Sequence, residues 1–231
     1  MPSDLRISGW VKSSFVDFPG TVSTVLFLSG CNLRCPYCHN PQVVKNGHVL
    51  LEWEPIRDYL EKRRGILDGA VISGGEPTLH SGLGYLCREL KKLGLKIKID
   101  TNGLLPEKIE QNIPDYLALD VKTSLENYKR VKTPFLDSPE RLRRSLDIVR
   151  SMGECAEVRI TAVPGIVDES DVDELCKELA GVENVYIQQF SNQSELLEST
   201  FAQKKPFEPE KLKQWQQKFL QAGLNCQVRG V

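Results

Sequence analysis

Six short apolar runs alternate with amphipathic helical segments along these 231 residues, and that alternation limits the fold more than any other feature. The runs are "TVSTVLFLSG" (21–30), "GAVISGG" (69–75), "LKIKIDTNG" (95–103), "DYLALDVK" (115–122), "EVRITAVPG" (157–165) and "NVYIQQF" (184–190). Between and after them, apolar residues recur at three-to-four spacing over 54–65, 82–94, 138–153, 168–181 and 208–223, with a short helix expected near Pro106. Ser138-Pro139 marks one helix start, and glycine follows several helix ends. Strands that alternate with helices build a parallel sheet with right-handed crossovers. Six units fall short of the eight of a closed barrel. The expectation is an α/β fold, an open partial (βα)6 barrel with a parallel curved sheet, with "NCQVRG" as one further strand. Residues 1–231 read as a single domain. Residues 1–20 read as an N-terminal extension, and 191–209 as a mobile loop. In such folds function sits at the C-terminal ends of the strands.

Composition narrows the class. The chain is 40% hydrophobic and 26% charged, as in ordinary globular proteins. A net charge of −1 gives no long-range attraction for a polyanion, so nucleic acid is not expected as a partner. No apolar run approaches the roughly 20 residues of a membrane span, and "MPSDLRISGW" lacks the profile of a secretory signal. A cytoplasmic setting, where thiols stay reduced, is expected. Seven cysteines suit a disulfide framework poorly. Cys87, Cys155, Cys176 and Cys226 are scattered, and read as core or inert surface.

The other three crowd into "GCNLRCPYCHNP" (30–41), after the first strand. Cys31, Cys35 and Cys38 have the spacing C-x3-C-x2-C, and thiolates suit iron–sulfur clusters or zinc. A structural zinc site or an electron-carrying cluster wants four protein ligands. Such a site would be completed by His39 or a distant cysteine, and Cys87 and Cys155 are the candidates for a cluster. Three ligands alone would leave one iron of a four-iron cluster open to a substrate.

The pattern Cys31, Cys35, Tyr37, Cys38 resembles the signature of radical S-adenosylmethionine enzymes. That resemblance implies a 4Fe-4S cluster whose open iron takes the amino and carboxylate groups of S-adenosylmethionine, with Tyr37 beside the adenine. "SGGEP" (73–77) resembles the family's GGE motif, which implies that Gly74, Gly75 and Glu76 hold the methionine amino group. "DTNG" (100–103) and "LDVK" (119–122) resemble motifs of the activating enzymes of glycyl-radical enzymes. They imply a monovalent cation at Asp100, Thr101 and Asp120, and co-substrate contacts from Asp100, Asn102 and Lys122. "VRITAVPG" resembles a fifth-strand motif and brings Arg159 toward the co-substrate. After the sixth strand, pyruvate formate-lyase activating enzymes place a histidine, whereas this chain reads "IQQFSN" with Gln189. "SFVDFPG" (14–20) resembles a segment of the activating enzymes in which Asp17 meets the glycine loop of the partner.

The chain lacks the cysteine-rich insert that many activating enzymes carry after the third cysteine. It resembles the longer form of anaerobic ribonucleoside-triphosphate reductase activating protein. The implied reaction is reductive cleavage of S-adenosylmethionine, with flavodoxin or ferredoxin as electron donor, and hydrogen abstraction from a glycine Cα of a partner enzyme. Activation of pyruvate formate-lyase or another glycyl-radical enzyme is an alternative. A radical enzyme acting on a small molecule or peptide, and a plain electron carrier, are further ones.

Overall fold

A computed structural model of the chain describes residues 5–45 and 49–231; residues 1–4 of the N-terminal extension lie outside them. Two compact units are distinguished. One takes in the chain up to Asn32, Gln42–Thr101 and Glu107–Leu117, and the other takes in Leu33–Pro41, Asn102–Pro106 and Ala118–Val231.

In the first unit, β1 (Ile7–Ser14) pairs antiparallel with β2 (Ser23–Leu28), Ser14 facing Ser23. Parallel ladders follow in chain order, from β2 to β3 (Gly69–Gly74) and from β3 to β4 (Lys96–Thr101). The first four residues of both β2 and β3 are fully buried. That is why both read as nearly continuous apolar runs, as strands covered on two faces do. Helix α1 (Pro41–Lys45) is short, and α2 (Trp53–Glu61) and α3 (Leu83–Lys92) follow β2 and β3. They bury Ile56 and Leu60, and Leu83, Leu86 and Leu90, respectively. The β1–β2 turn is anchored by Phe18, packed with Val25, Val71 and Tyr116. Burying such a ring contributes roughly 1.5–3 kcal/mol.

Helix α4 (Pro106–Gln111) leads to β5 (Tyr116–Asp120), which begins in the first unit and ends in the second. In the second unit the Val121 N–H donates to the Arg159 carbonyl, at 3.0 Å. Parallel ladders then join β6 (Ala156–Ala162), β7 (Val185–Gln189) and β8 (Cys226–Arg229). Helices α5 (Ser138–Met152), α6 (Glu169–Glu178), α7 (Ser199–Ala202) and α8 (Pro209–Gln221) complete it. Helix α6 opens on a capping box, in which the Asp168 carboxylate accepts the Asp171 N–H and the Asp171 carboxylate accepts the Asp168 N–H.

All six expected strands are present. The sequence reading missed antiparallel β1, which lies in the N-terminal extension, and the segment 191–209 contains α7. Among the described residues no helix is long and apolar enough to cross a membrane.

Candidate active site

Two sets of candidate residues form, one in each unit. In the first, β2 ends at Leu28 and the chain runs through Ser29 and Gly30 to Cys31. This root is held from several directions. The Ser29 N–H donates to the Arg6 carbonyl at 2.8 Å, the Gly30 N–H to Val43 at 3.0 Å, and the Ser29 carbonyl meets the His80 ring at 2.9 Å.

The glycines of "SGGEP" face this root. The Gly75 N–H donates to the Leu28 carbonyl and the Glu76 N–H to the Gly30 carbonyl, both at 2.9 Å. A Cβ on Gly75 would stand 1.8 Å from the Gly30 oxygen, and one on Gly74, at φ +115°, 2.5 Å from Leu28 backbone atoms. In the structure the group that approaches these glycines is the backbone of β2 and the cysteine loop. Only glycine tolerates that closeness.

Glu76 is 0% exposed. Its Oε1 accepts the Thr78 N–H at 3.0 Å, the Thr78 hydroxyl at 2.6 Å and the Thr101 hydroxyl at 2.7 Å. A buried carboxylate needs such donors, and these join the end of β3 to the end of β4. Asp100, also at the end of β4, accepts from Lys98 Nζ at 2.6 Å.

Asp17 is placed elsewhere. The 15–22 turn directly precedes β2 and so lies at its start, whereas Cys31 follows its end. Six residues of strand, about 20 Å, separate the two ends. The Asp17 carboxylate accepts from the Ser14 hydroxyl at 2.5 Å. The geometry does not bring Asp17 to the cysteine loop.

In the second unit the Cys38 N–H donates to the Cys35 carbonyl at 3.0 Å, forming a turn. Segment 191–209 bonds to this loop twice, Leu197 N–H to Cys38 and Glu198 N–H to Pro36, at 3.1 and 2.9 Å. Tyr37 is buried between them, its ring edge-on to Phe190 and 6.4 Å from the Phe201 ring. Its hydroxyl has no hydrogen-bond partner among the described residues. Burial, reinforced by negative charge at Cys35, pushes its pKa well above the usual tyrosine value.

Asp120, ending β5, accepts from Arg159 Nε at 2.8 Å and pairs with Lys122 Nζ at 3.2 Å. Burial pushes the Asp120 carboxyl up, but the two cations outweigh it and hold it well below the carboxylate range. Lys122 loses some affinity for its proton through burial and regains more from Asp120 and Cys35, so its pKa is raised. The Lys122 N–H also donates to the Tyr128 hydroxyl at 3.0 Å. Asn102 Oδ1 accepts the Leu104 N–H. Both ends of the Gln189 amide meet backbone, the NH2 donating to Phe207 and Oε1 accepting from Phe190. His39, weighed as a zinc ligand, bonds to the Ser191 carbonyl.

Lys98, Thr78, His80 and Tyr128 were not read from the sequence as site residues. The signal for Lys98 was a lysine inside a strand with apolar neighbours on both sides.

All seven cysteines are thiols. Burial pushes Cys87 up to about 11 and Cys226 up to about 12, which makes both poor thiolates. Cys31 in the first unit and Cys35 and Cys38 in the second are each half-buried thiols after β2, the soft ligand type that iron–sulfur clusters take. The buried Tyr37 hydroxyl, without a hydrogen-bond partner among the described residues, leaves a polar group for a ligand at this loop. Among the described residues no three His, Cys, Asp or Glu side chains form a group that could hold a metal ion.

Residues 25–179 match the family model described as the radical SAM superfamily. A Methanocaldococcus jannaschii protein assigned as a glycyl-radical enzyme activating enzyme is 37% identical over 195 residues, 80% of this chain and 79% of its own. The pyruvate formate-lyase-activating enzyme of Staphylococcus epidermidis is 31% identical over 175 residues, 68% of this chain and 67% of its own. Among solved structures, QueE from Escherichia coli aligns with a TM-score of 0.56 at 14% identity, over 98% of this chain and 94% of that one. That likeness speaks to the fold alone: an α/β architecture with a parallel, open sheet.

Proposed function

This chain belongs to the radical SAM superfamily of enzymes, and from that premise we propose that it activates a glycyl-radical enzyme. The observation that carries the proposal is the 37% identity, over four-fifths of the chain, to a protein assigned as such an activating enzyme. The matched family region contains Cys31, Cys35 and Cys38.

In this reading Cys31, Cys35 and Cys38 would hold a 4Fe-4S cluster with one iron left for S-adenosylmethionine. Such a cluster would supply one electron, received from flavodoxin or ferredoxin, for the reductive cleavage of S-adenosylmethionine to methionine and a 5′-deoxyadenosyl radical. That radical takes a hydrogen atom from a glycine Cα of the partner, leaving 5′-deoxyadenosine and a glycyl radical. The chain's own residues bind, align and exclude water. Tyr37 lies beside the adenine. Glu76 fixes the strand end at Gly74 and Gly75, whose carbonyls accept from the methionine ammonium. Asp100 and Asn102 border the co-substrate. Lys122, oriented by Asp120, faces its carboxylate, and Arg159 supports that pair. Gln189 fixes the backbone after β7 on the ribose side. Asp17, in the turn before β2, contacts the glycine loop of the partner.

The partner proposed is anaerobic ribonucleoside-triphosphate reductase, from the resemblance to the longer form of its activating protein. The match to a pyruvate formate-lyase-activating enzyme favours a second partner of the same class. The reading puts the reaction in the cytoplasm, with no nucleic acid or membrane as partner.

A partner screen tests it. Anaerobically reconstituted protein, reductant and S-adenosylmethionine are mixed with each glycyl-radical enzyme in turn. A doublet radical signal with the reductase supports the assignment, and a doublet only with pyruvate formate-lyase moves it to the second partner. If 5′-deoxyadenosine forms and no partner gives a radical, the substrate is not a glycyl-radical enzyme of this set.

A further inference from the structure

Three oxygen sources are expected, from the resemblance, to hold a monovalent cation: Asp100, Thr101 and Asp120. The structure gives each of them a different occupation. Lys98 Nζ stands 2.6 Å from Asp100 Oδ1. The Thr101 hydroxyl donates to Glu76 at 2.7 Å. Asp120 meets two cations of the chain, Arg159 and Lys122.

The Lys98–Asp100 pair differs from a surface ion pair. The side chains are 2% and 13% exposed. They lie two residues apart on β4 and so share one face. A carboxylate removed from water in this way needs a compensating positive charge, and removing one partner leaves the other uncompensated. An alkali ion would supply a single positive charge to Asp100, and the Lys98 ammonium already does so through a charge-assisted hydrogen bond.

We infer that Lys98 replaces the expected monovalent cation, so that the charge at Asp100 is balanced by the chain's own ammonium group and by no bound alkali ion. The inference rests on the side-chain geometry, and it stands whichever glycyl-radical enzyme is the partner. Lysine at 98 then makes the protein indifferent to sodium and potassium. An uncharged residue there opens a site for them.

The test is the thermal midpoint of the full chain in potassium, sodium or choline chloride at equal ionic strength. The wild type should melt within about 1 °C in all three salts. A saturable rise of about 3 °C or more in potassium or sodium, the size expected for specific binding well above Kd, overturns the inference. Lys98→Met should gain such a saturable rise, and Asp100→Asn added to it should abolish the rise. A folded Lys98→Met chain without any alkali-ion response also overturns it. Should that variant fail to fold, the wild-type comparison still decides. Cleavage of S-adenosylmethionine by the reconstituted wild type should likewise change less than about twofold between the three salts, a margin of under about 0.5 kcal/mol. A chain that melts identically in all three yet cleaves no co-substrate would sink the proposed function and leave this inference in place.

Discussion

Arg159 Nε donates to Asp120 Oδ1 at 2.8 Å, joining the middle of β6 to the last residue of β5. The Asp120 carboxyl, ordinarily near 3.8, is held well below that by Arg159 and Lys122 in spite of burial. The folded chain therefore binds this proton less readily than the unfolded chain does. The stabilisation is fully present above about pH 4 and is lost as pH falls toward the depressed value. Asp120→Asn should cost about 1–3 kcal/mol at neutral pH, because two cations lose their counter-charge. It should also flatten the decline of stability below pH 4. Urea unfolding as a function of pH reads both effects, and parallel acid limbs in variant and wild type would contradict them.

Glu76 should matter to folding before it matters to chemistry. Its buried Oε1 collects three donors, from Thr78 twice and from Thr101. Glu76→Ala removes the acceptor these donors share, at a cost of about 3 kcal/mol. Glu76→Gln keeps an acceptor oxygen and should cost less than half as much. Equal losses for the two variants in chemical denaturation would mean that the bonds contribute little.

Gly75→Ala should displace the cysteine loop. The added methyl would meet the Gly30 carbonyl oxygen at 1.8 Å, one residue before Cys31. Backbone must shift, and overpacking of this kind costs about 1–3 kcal/mol or more. Iron content after reconstitution should fall along with stability. A variant that binds the wild-type complement of iron would show that the loop does not depend on this contact.

Asp17→Asn separates the two ends of β2. Uncoupled cleavage of S-adenosylmethionine needs no partner and should be spared. Glycyl-radical yield with the partner should drop, with a loss of about 1.5–3 kcal/mol in binding for a bond to a charged group. If neither activity changes, Asp17 serves only the turn with Ser14.

Strands β2 and β3 were legible because burial on both faces writes them as nearly unbroken apolar runs, "STVLFL" and "GAVISG", and β4 by its alternation in "KIKIDT". Strand β1 was not. "ISGWVKSS" is half-exposed, carries a glycine and three polar residues at its end, and has an exposed Lys12 of the kind that protects sheet edges. Asp17 itself falls where the sequence has it, in the turn directly before β2. The cysteine loop stands out by spacing, and Glu76, Asp120 and Arg159 are singled out by resemblance. Their partners were not. The bond between Thr101 and Glu76 spans 25 residues of chain, and that from Arg159 to Asp120 spans 39. Lys98 escaped notice because a buried lysine makes sense only once its carboxylate partner is seen on the same face.

The central claim is that a radical formed from S-adenosylmethionine takes its hydrogen from a glycine Cα of a protein partner. The direct measurement is isotopic. The candidate reductase is prepared with glycine deuterated at Cα, mixed with reconstituted enzyme, reductant and unlabelled S-adenosylmethionine, and the 5′-deoxyadenosine is analysed by mass spectrometry. The account predicts 5′-deoxyadenosine heavier by one deuterium, in step with the growth of the glycyl radical. Unlabelled 5′-deoxyadenosine, formed while that radical accumulates, would contradict it.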